Sequence, residues 1–492
     1  MRYFRFGLNR FRFRGGVHPR GNKHASGEPI EPLPLPERLY LPVQQHVGSP
    51  AEPVVKIGEP VFKGQLIALS QGAVSAPIHA PTSGIVAAIE PFTAPHPSGL
   101  PVRTVMLEPD GRDRWDPRLQ GGDPDRLTAE EIADRVGAAG IVGMGGATFP
   151  AAVKLNLGQR SRVHTLVING SECEPYLTCD DRLMQEQAAG IVDGARIMLR
   201  GLGARSVLVG IEDNKPEAIA AMTAAAEPWP EVKVRAVPTR YPMGSGKQMI
   251  QTLTGKEVPA GGRSADIGVV VHNVATALAV HRALRLGHPL VSRIVTVGGG
   301  AVQRSKNLEV PLGALVSDLV AYCGGLSETP ARLLVGGPMM GQALPHTRVP
   351  VVKGTNGIIA LSARESAVGD VRPCIRCSRC VAACPSGLMP LEMAARIHAD
   401  DLDGALDYGL QDCISCSACS YVCPSRIPLV HYFNFAKGEL TARRIKQRRN
   451  EETRRLAEAR RARLEAQERE KAEAAESRKR EKQAQKDEAS VA

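Results

Sequence analysis

Apolar and polar positions change rhythm several times along the chain. From residue 51 to 110 short apolar runs alternate with turn residues: Val54-Val55, Val61-Phe62, Leu66-Ile67-Ala68 and Gly84-Ile85-Val86, punctuated by Gly58, Gly64, Pro81 and Gly84. Such spacing predicts a small β-sandwich. Beyond residue 127 the period lengthens. Thr128 followed by Glu131 reads as a helix N-cap with a capping box. Val163–Ile168 and Ser206–Ile211 read as buried strands with a helix, Gln187–Leu202, between them. Strand, helix, strand implies a parallel sheet and an α/β domain. Residues 266–285 read as a strand running into a helix, with His272-Asn273 near the join. Two Gly-rich strand ends follow, Val297–Gly300 and Val335–Pro338, with a short helix predicted at Leu315–Tyr322, a pattern that suits a β-grasp.

The two ends differ from this middle. Residues 1–50, rich in Gly, Pro, Arg and His, read as an extended lead-in. Met1–Phe6 lacks the apolar core of a secretory signal, which makes the cytoplasm the expected compartment. Residues 441–492 carry 28 charged residues out of 52 and no Gly, Pro or aromatic. That composition suits either a solvated helix laced with i,i+4 pairs or disorder. Only Ile445, Leu456, Leu464 and Val491 there are apolar and larger than Ala, too few for a coiled-coil seam.

At 492 residues the chain has room for about three or four domains. With 43% hydrophobic and 23% charged residues it has the balance of ordinary globular protein, which excludes wholesale disorder. No apolar run reaches the ~18–20 residues of a membrane-spanning helix. The net charge of +11 says little about partners, because +6 of it sits in residues 441–492. Aromatics, at 4%, are too scarce for a base-stacking surface, so no nucleic-acid partner is expected. The 51–110 region resembles the biotinyl/lipoyl-like barrel-sandwich hybrid, but Ser70–Gly84 has no Lys to carry a prosthetic arm, and a structural β module is the reading.

Eight of the eleven cysteines fall between residues 374 and 423. Cys374, Cys377, Cys380 and Cys384-Pro385 form one run; Cys413, Cys416, Cys419 and Cys423-Pro424 form another. Both have the spacing of bacterial ferredoxins, in which the fourth cysteine of each run serves the other [4Fe–4S] cluster. Cluster one is therefore expected on Cys374, Cys377, Cys380 and Cys423, and cluster two on Cys413, Cys416, Cys419 and Cys384. Zinc ribbons use two x2 pairs per metal, so paired zinc sites are the weaker reading. Two short helices, Pro390–His398 and Asp403–Leu410, are predicted between the runs. Cys173, Cys179 and Cys323 match no ligand spacing and read as small buried residues.

A relay of one-electron centres needs a source. Gly143-Met144-Gly145-Gly146 with Lys154 suits a phosphate. The dinucleotide fingerprint fails, since Thr148 stands at its third glycine. Polar residues crowd the end of the next strand, from Asn169 to Tyr176 and from Cys179 to Arg182. A third cluster, Tyr241–Gln248, looks like a Walker A loop but lacks the first glycine and the Ser or Thr that holds magnesium. Each loop taken alone could equally be a structural turn.

Together, Gly15-Gly16-Val17-His18-Pro19, Gly145–Pro150, Ser171–Tyr176, Tyr241–Gln248, His272–Thr276 and the two cysteine runs resemble the RnfC family of the Rnf (Rsx) electron-transport complex over about residues 10–440. The middle is also similar to the flavin- and NADH-binding subunit of respiratory complex I. The resemblance implies non-covalent FMN, with Gly143, Gly145 and Lys154 on its phosphate side and Asn169, Glu174, Tyr241, Gly244, Asn273 and Thr276 lining the rest. Phe149 would stack on the nicotinamide of NAD(H), and Phe149 and Glu174 would be the catalytic residues. Ser171 and Ser245-Gly246 stand where the complex I subunit has Asp and an acidic pair, so the NADH contacts depart from that pattern.

The implied architecture is multidomain α/β and α+β. It comprises a lead-in (1–50), a barrel-sandwich-like β domain (51–120), a Rossmann-like FMN/NADH domain (121–265), an SLBB-like β-grasp with its connecting helix (266–350), a helical ferredoxin module with two [4Fe–4S] clusters (365–440) and a charged tail (441–492). The implied function is a peripheral electron-transfer subunit on the cytoplasmic face of a bacterial inner membrane. Its partners would be the other subunits of an ion-translocating complex, with ferredoxin reached through them. The basic tail would dock to anionic lipid or partners, or stay solvated. Two other readings remain: a soluble flavin/iron–sulfur reductase like cobalamin reductase, and a pure electron relay without NADH chemistry.

Overall fold

The computed structural model describes residues 13–366 and 369–489. The expectation for Met1–Phe6 lies outside them. The chain divides into two compact units: residues up to Leu391 with Asp412–Val430, and Glu392–Gln411 with the residues from His431 onward.

The first unit holds four sheets. An antiparallel sheet orders its strands Leu39–Pro42, Pro101–Pro109, Gly84–Thr93 and Pro60–Val61. A smaller sheet of Glu52–Pro53, Leu66–Leu69 and Ile78–His79 accompanies it. Three of the β runs read from the turn punctuation fall on these strands, while Val54-Val55 follows the strand Glu52–Pro53 rather than forming one. Two strands also arise inside the stretch expected to be an extended lead-in: Leu39–Pro42 joins this sheet, and Ile30–Pro32 pairs in parallel with Lys306–Pro311.

That second pairing builds a six-stranded mixed sheet. Its order is Ile30–Pro32, Lys306–Pro311, Ser292–Gly298, Gly357–Leu361, Arg332–Val335, Gln342–Ala343. The helix Val316–Tyr322 lies where the short apolar pattern placed it. Leu39, Leu41 and Leu107 of the sandwich share one buried apolar cluster with Val295, Leu308 and Ile358 of this sheet and Leu319 of that helix, so the two modules stabilise each other through a common core.

The α/β domain is a four-stranded parallel sheet ordered Val232–Val237, Ser206–Glu212, Thr165–Gly170, Val269–Asn273. Thr128 caps the helix Ala129–Ala138, with Glu131 accepting from the Thr128 N–H at 2.8 Å. Helices Ala188–Leu202 and Val274–Leu286 pack closely; a Cβ on Gly194 would stand 1.8 Å from the Ala277 carbonyl, so only glycine allows this approach. The C-terminal strand ends carry Asn169, Glu212 and Asn273, at the edge where parallel sheets bind ligands.

In the second unit, Pro390–His398 is helical as read, and the next helix is Leu402–Asp407, shorter than the predicted Asp403–Leu410 at its C-terminal end. The His398 and Tyr432 rings meet edge-on at 4.5 Å. Leu429–Ala489 is one helix of 61 residues, about 92 Å long at 1.5 Å per residue. The tail is thus a helix, and from Thr441 its described side chains are exposed. Arg454 and Glu458 pair across one turn at 2.8 Å.

Candidate functional site

The two cysteine runs repeat one backbone trace. Arg376 and Ser378 in the first, and Ser415 and Ser417 in the second, are left-handed, with φ of 51°, 58°, 54° and 62°. Gly387 and Arg426, each three residues past the fourth cysteine, are left-handed too. Non-glycine residues there cost roughly 1–2 kcal/mol apiece. The turns aim amide N–H groups at sulfur. Arg376 donates to Cys374 Sγ and Ser415 to Cys413 Sγ, both at 3.4 Å, and Leu388 donates to Cys384 Sγ at 3.3 Å. Amides gathered this way favour negative charge on the sulfurs.

The thiols also group across the runs. Burial, then the neighbouring Cys413, Cys416 and Cys384, push the Cys419 thiol well up. Burial pushes Cys416 up to about 11, with Cys413 and Cys384 adding to it. Cys384 is therefore close enough to the second run to act on its thiols. Burial raises Cys380 as well, beside Cys374 and Cys377 of its own run. Sets of thiols that crowd and repel as free side chains suit a cationic iron core, and this donor chemistry fits [4Fe–4S] centres.

The Gly-rich loop is tied down from both sides. Gly143 N–H donates to the Phe149 carbonyl at 2.8 Å, and Met144 N–H donates to Thr276 Oγ1 at 3.0 Å. The Thr276 hydroxyl in turn donates to the Val142 carbonyl at 3.3 Å. Asn273 caps the helix Val274–Leu286 by accepting from Ala275 N–H, while its Nδ2 donates to Asp180 at 2.6 Å. A Cβ on Gly145 would rest 3.4 Å from the Asn273 Cβ, so the loop backbone passes close over that side chain.

Beside the loop lies a cavity of about 730 Å³ lined by Phe149, Lys154, Ser245, Gly246, Lys247 and Arg263, among others. Three of these side chains are cationic, and among the described residues no carboxylate lines the cavity. Lys154 Nζ donates to the Val271 carbonyl at 3.2 Å, and burial alone pushes its ammonium pKa down. A half-buried cation facing space of this size fits a phosphate-bearing cofactor.

The remaining residues form a second group that does not line that cavity. Asn169 donates through Nδ2 to the Gly244 carbonyl at 2.8 Å and accepts from Ser171 N–H. Gly244 N–H donates to Cys173 Sγ at 3.1 Å. Glu174 accepts from Met339 N–H at 3.0 Å and Met340 N–H at 2.8 Å, and burial pushes its carboxyl up to about 7. Tyr241 is buried, neighbours Glu174, and donates its hydroxyl proton to the Cys416 carbonyl at 2.7 Å. Cys179 and Cys323 are buried as expected, and Cys173 is half-buried.

Sequence reasoning missed Lys23. Its buried ammonium donates to the carbonyls of Glu172 and Glu174, each at 2.9 Å, and to that of Leu177. It holds the acidic loop in shape from within the lead-in, where nothing in the local pattern signals it. The Gly15-Gly16 pair was visible, but not its contact: Gly16 N–H donates to the Ala383 carbonyl at 2.9 Å.

Comparison with known proteins places four families on the chain. Residues 11–112 match the RnfC barrel sandwich hybrid domain, 136–282 the Nuo51 FMN-binding domain, 294–343 the SLBB domain and 366–456 the 4Fe-4S dicluster domain. The RnfC-type component of the ion-translocating oxidoreductase complex of Rhodobacter capsulatus is 57% identical over 438 residues, covering 89% of this chain and 84% of the relative. The Pseudomonas aeruginosa protein of the same name is 46% identical, over 93% of this chain and 59% of its own length. Among solved structures, an NAD+-reducing [NiFe]-hydrogenase in the H2-reduced state matches 63% of this chain and 61% of its own with a TM-score of 0.47 at 19% identity. The FMN-binding and dicluster domains thus stand on the regions where cavity and thiols were found, and the chain belongs to the RnfC family of the ion-translocating oxidoreductase complex.

Proposed function

We propose that this chain carries electrons between NAD(H) and two [4Fe–4S] centres through FMN, as a peripheral subunit of an ion-translocating oxidoreductase complex. The observation that carries the reading is the direct link between the two halves of the site: Tyr241, from the loop that also presents Ser245 and Gly246 to the cavity, bonds the Cys416 carbonyl. Bound FMN would supply the exchange between two-electron hydride chemistry and one-electron transfer, and the clusters would supply the one-electron relay.

The chain's own residues bind, orient and tune. Lys154 and the amides of Gly143 and Gly145 would hold the phosphate side. Asn273 and Thr276 fix that loop against its helix, and Asn169 fixes the Gly244 loop. Phe149 gives the nicotinamide an apolar wall. Glu174 holds its proton up to near neutral pH and sets Tyr241 and the Met339–Met340 turn around itself. Cys374, Cys377, Cys380 and Cys423 would ligate one cluster, and Cys413, Cys416, Cys419 and Cys384 the other.

No helix among the described residues is long and apolar enough to cross a membrane. Attachment on the cytoplasmic face would therefore come from other subunits of the complex, through which ferredoxin would be reached. Anaerobic purification with iron, sulfide and flavin quantitation tests the assignment. About eight irons and one FMN per chain are expected from two cubane sets and one flavin cavity. Zinc in place of iron, or iron without flavin, would refute it.

A further inference from the structure

The two cysteine sets have different surroundings. Cys416 and Cys419 of the second are 6% and 7% exposed. Bonds from the flavin side arrive next to it: Gly16 N–H on the Ala383 carbonyl, Tyr241 on the Cys416 carbonyl, and Gln248 Nε2 on the Pro385 carbonyl at 3.4 Å. In the first set, Cys374 and Cys377 are exposed. On the same loop Ile375 is 68% and Val371 58% exposed, two large apolar side chains in water beside the thiols.

Around that apolar centre the charge is mainly positive, four arginines against Asp370. Arg372 and Arg376 are exposed in the same loop, and Arg379 is exposed at the start of the helix Arg379–Ala383 that follows. Arg426, also exposed, is brought alongside because Arg372 N–H donates to the Ser425 carbonyl at 2.9 Å and Ser425 Oγ donates to the Pro373 carbonyl at 2.9 Å. Asp370 is the acidic residue of the stretch 369–380. An apolar centre with an arginine rim is the composition of a protein-docking patch.

We infer that the face formed by Val371, Ile375, Arg372, Arg376 and Arg426 is where this chain docks an electron-carrying protein whose own redox centre lies beneath an acidic surface. The second cluster is then the flavin-side centre and the first the exchange port. This rests on the two-cluster reading above. Charge complementarity selects an acidic partner and steers its approach. A redox protein is favoured over an anionic bilayer because the patch is built on the ligand loop itself, and lipid offers an electron no acceptor. The step moves one electron: the partner is oxidised by one unit as the first cluster is reduced by one, with no bond or proton transferred.

The test uses the full chain with flavin and both clusters loaded, mixed anaerobically with a dithionite-reduced, acidic plant-type [2Fe–2S] ferredoxin freed of excess reductant. Stopped-flow absorbance gives the transfer rate. The rate should fall as ionic strength rises from about 0.01 M to about 0.5 M, where screening shortens to a few ångströms. Arg372→Glu with Arg426→Glu should slow it about tenfold at low salt, with iron, flavin and cluster spectra unchanged. Ile375→Ala, which leaves charge and ligands intact, should slow it several-fold at every salt concentration. Basic cytochrome c, as oxidant of the reduced chain, should respond oppositely, gaining rate with the charge-reversed variant. Transfer equally fast in the charge-reversed protein would overturn the proposal, as would charge-dependent binding of the patch to vesicles of anionic phospholipid, or to a second copy of the chain, with the rate unchanged. Absence of iron would instead refute the two-cluster reading; two loaded centres with charge-insensitive transfer would refute the docking face alone.

Discussion

The Tyr241 hydroxyl donates to the Cys416 carbonyl at 2.7 Å, across 175 residues of sequence. The same tyrosine is bridged in antiparallel fashion to Val17, next to the Gly16 that bonds the first cysteine run at Ala383. Three segments far apart in the chain thus meet where the flavin loops and the cysteine loops join.

Ligand exchange between the runs is directly testable. The Cys384 thiol acts electrostatically on Cys416 and Cys419, and Cys413 acts on it. Cys384→Ser should therefore perturb the same paramagnetic centre as Cys416→Ser, and Cys423→Ser the same centre as Cys377→Ser. Low-temperature EPR of the reduced proteins checks the grouping. A Cys384→Ser spectrum matching that of Cys377→Ser would contradict it.

Lys154 is a half-buried cation of the cavity wall whose ammonium pKa burial pushes down. Lys154→Ala should release most of the flavin on gel filtration while iron content stays at the parent level. A charge-assisted bond to phosphate contributes about 1.5–3 kcal/mol, so flavin affinity should weaken roughly ten- to a hundredfold.

Lys23 holds three backbone carbonyls of the acidic loop. Lys23→Met keeps the apolar stem and removes the donor. Each buried carbonyl left without a partner costs about 1–3 kcal/mol, so a lower midpoint in urea and weaker flavin retention are expected together.

Lys353 gives a pH signature. It is wholly buried, its Nζ donates to the carbonyls of Pro77 at 2.6 Å and Gly140 at 2.7 Å, and burial pushes its pKa down to about 7. The unfolded chain holds that proton up to its ordinary value of 10.5. Between about 7 and 10.5 the unfolded state therefore binds more protons, and stability from this group rises with pH. Lys353→Met should remove that slope, at most roughly 1.4 kcal/mol per pH unit. Denaturant midpoints at the two ends of the window, for parent and variant, check it.

What could be read in the sequence was what is local or periodic. The cysteine spacing, the Thr128 cap, the helix Pro390–His398 and the placing of Asn273 between strand and helix all follow from short-range rules. The Ile30–Pro32 strand was not legible, because three residues without alternation become a strand only by pairing with Lys306–Pro311 far along the chain. Lys23 and Lys353 escaped for the same reason: a lone lysine gives no hint that folding will bury it against carbonyls. Glu174 was picked out, but not its partners Met339 and Met340, which come from the β-grasp sheet's Gly-rich turn. The tail composition left helix and disorder open, and its i,i+4 pairs accompany the helix that forms.

The central claim is a flavin feeding two cross-ligated cubane centres. EPR of the anaerobically prepared chain, with NADH as first reductant and dithionite to completion, tests it most directly. The account expects flavin bleaching on NADH, and after dithionite two S = 1/2 centres broadened by mutual coupling, as clusters that exchange ligands must lie close. A single uncoupled centre, or flavin that NADH leaves oxidised, would contradict it.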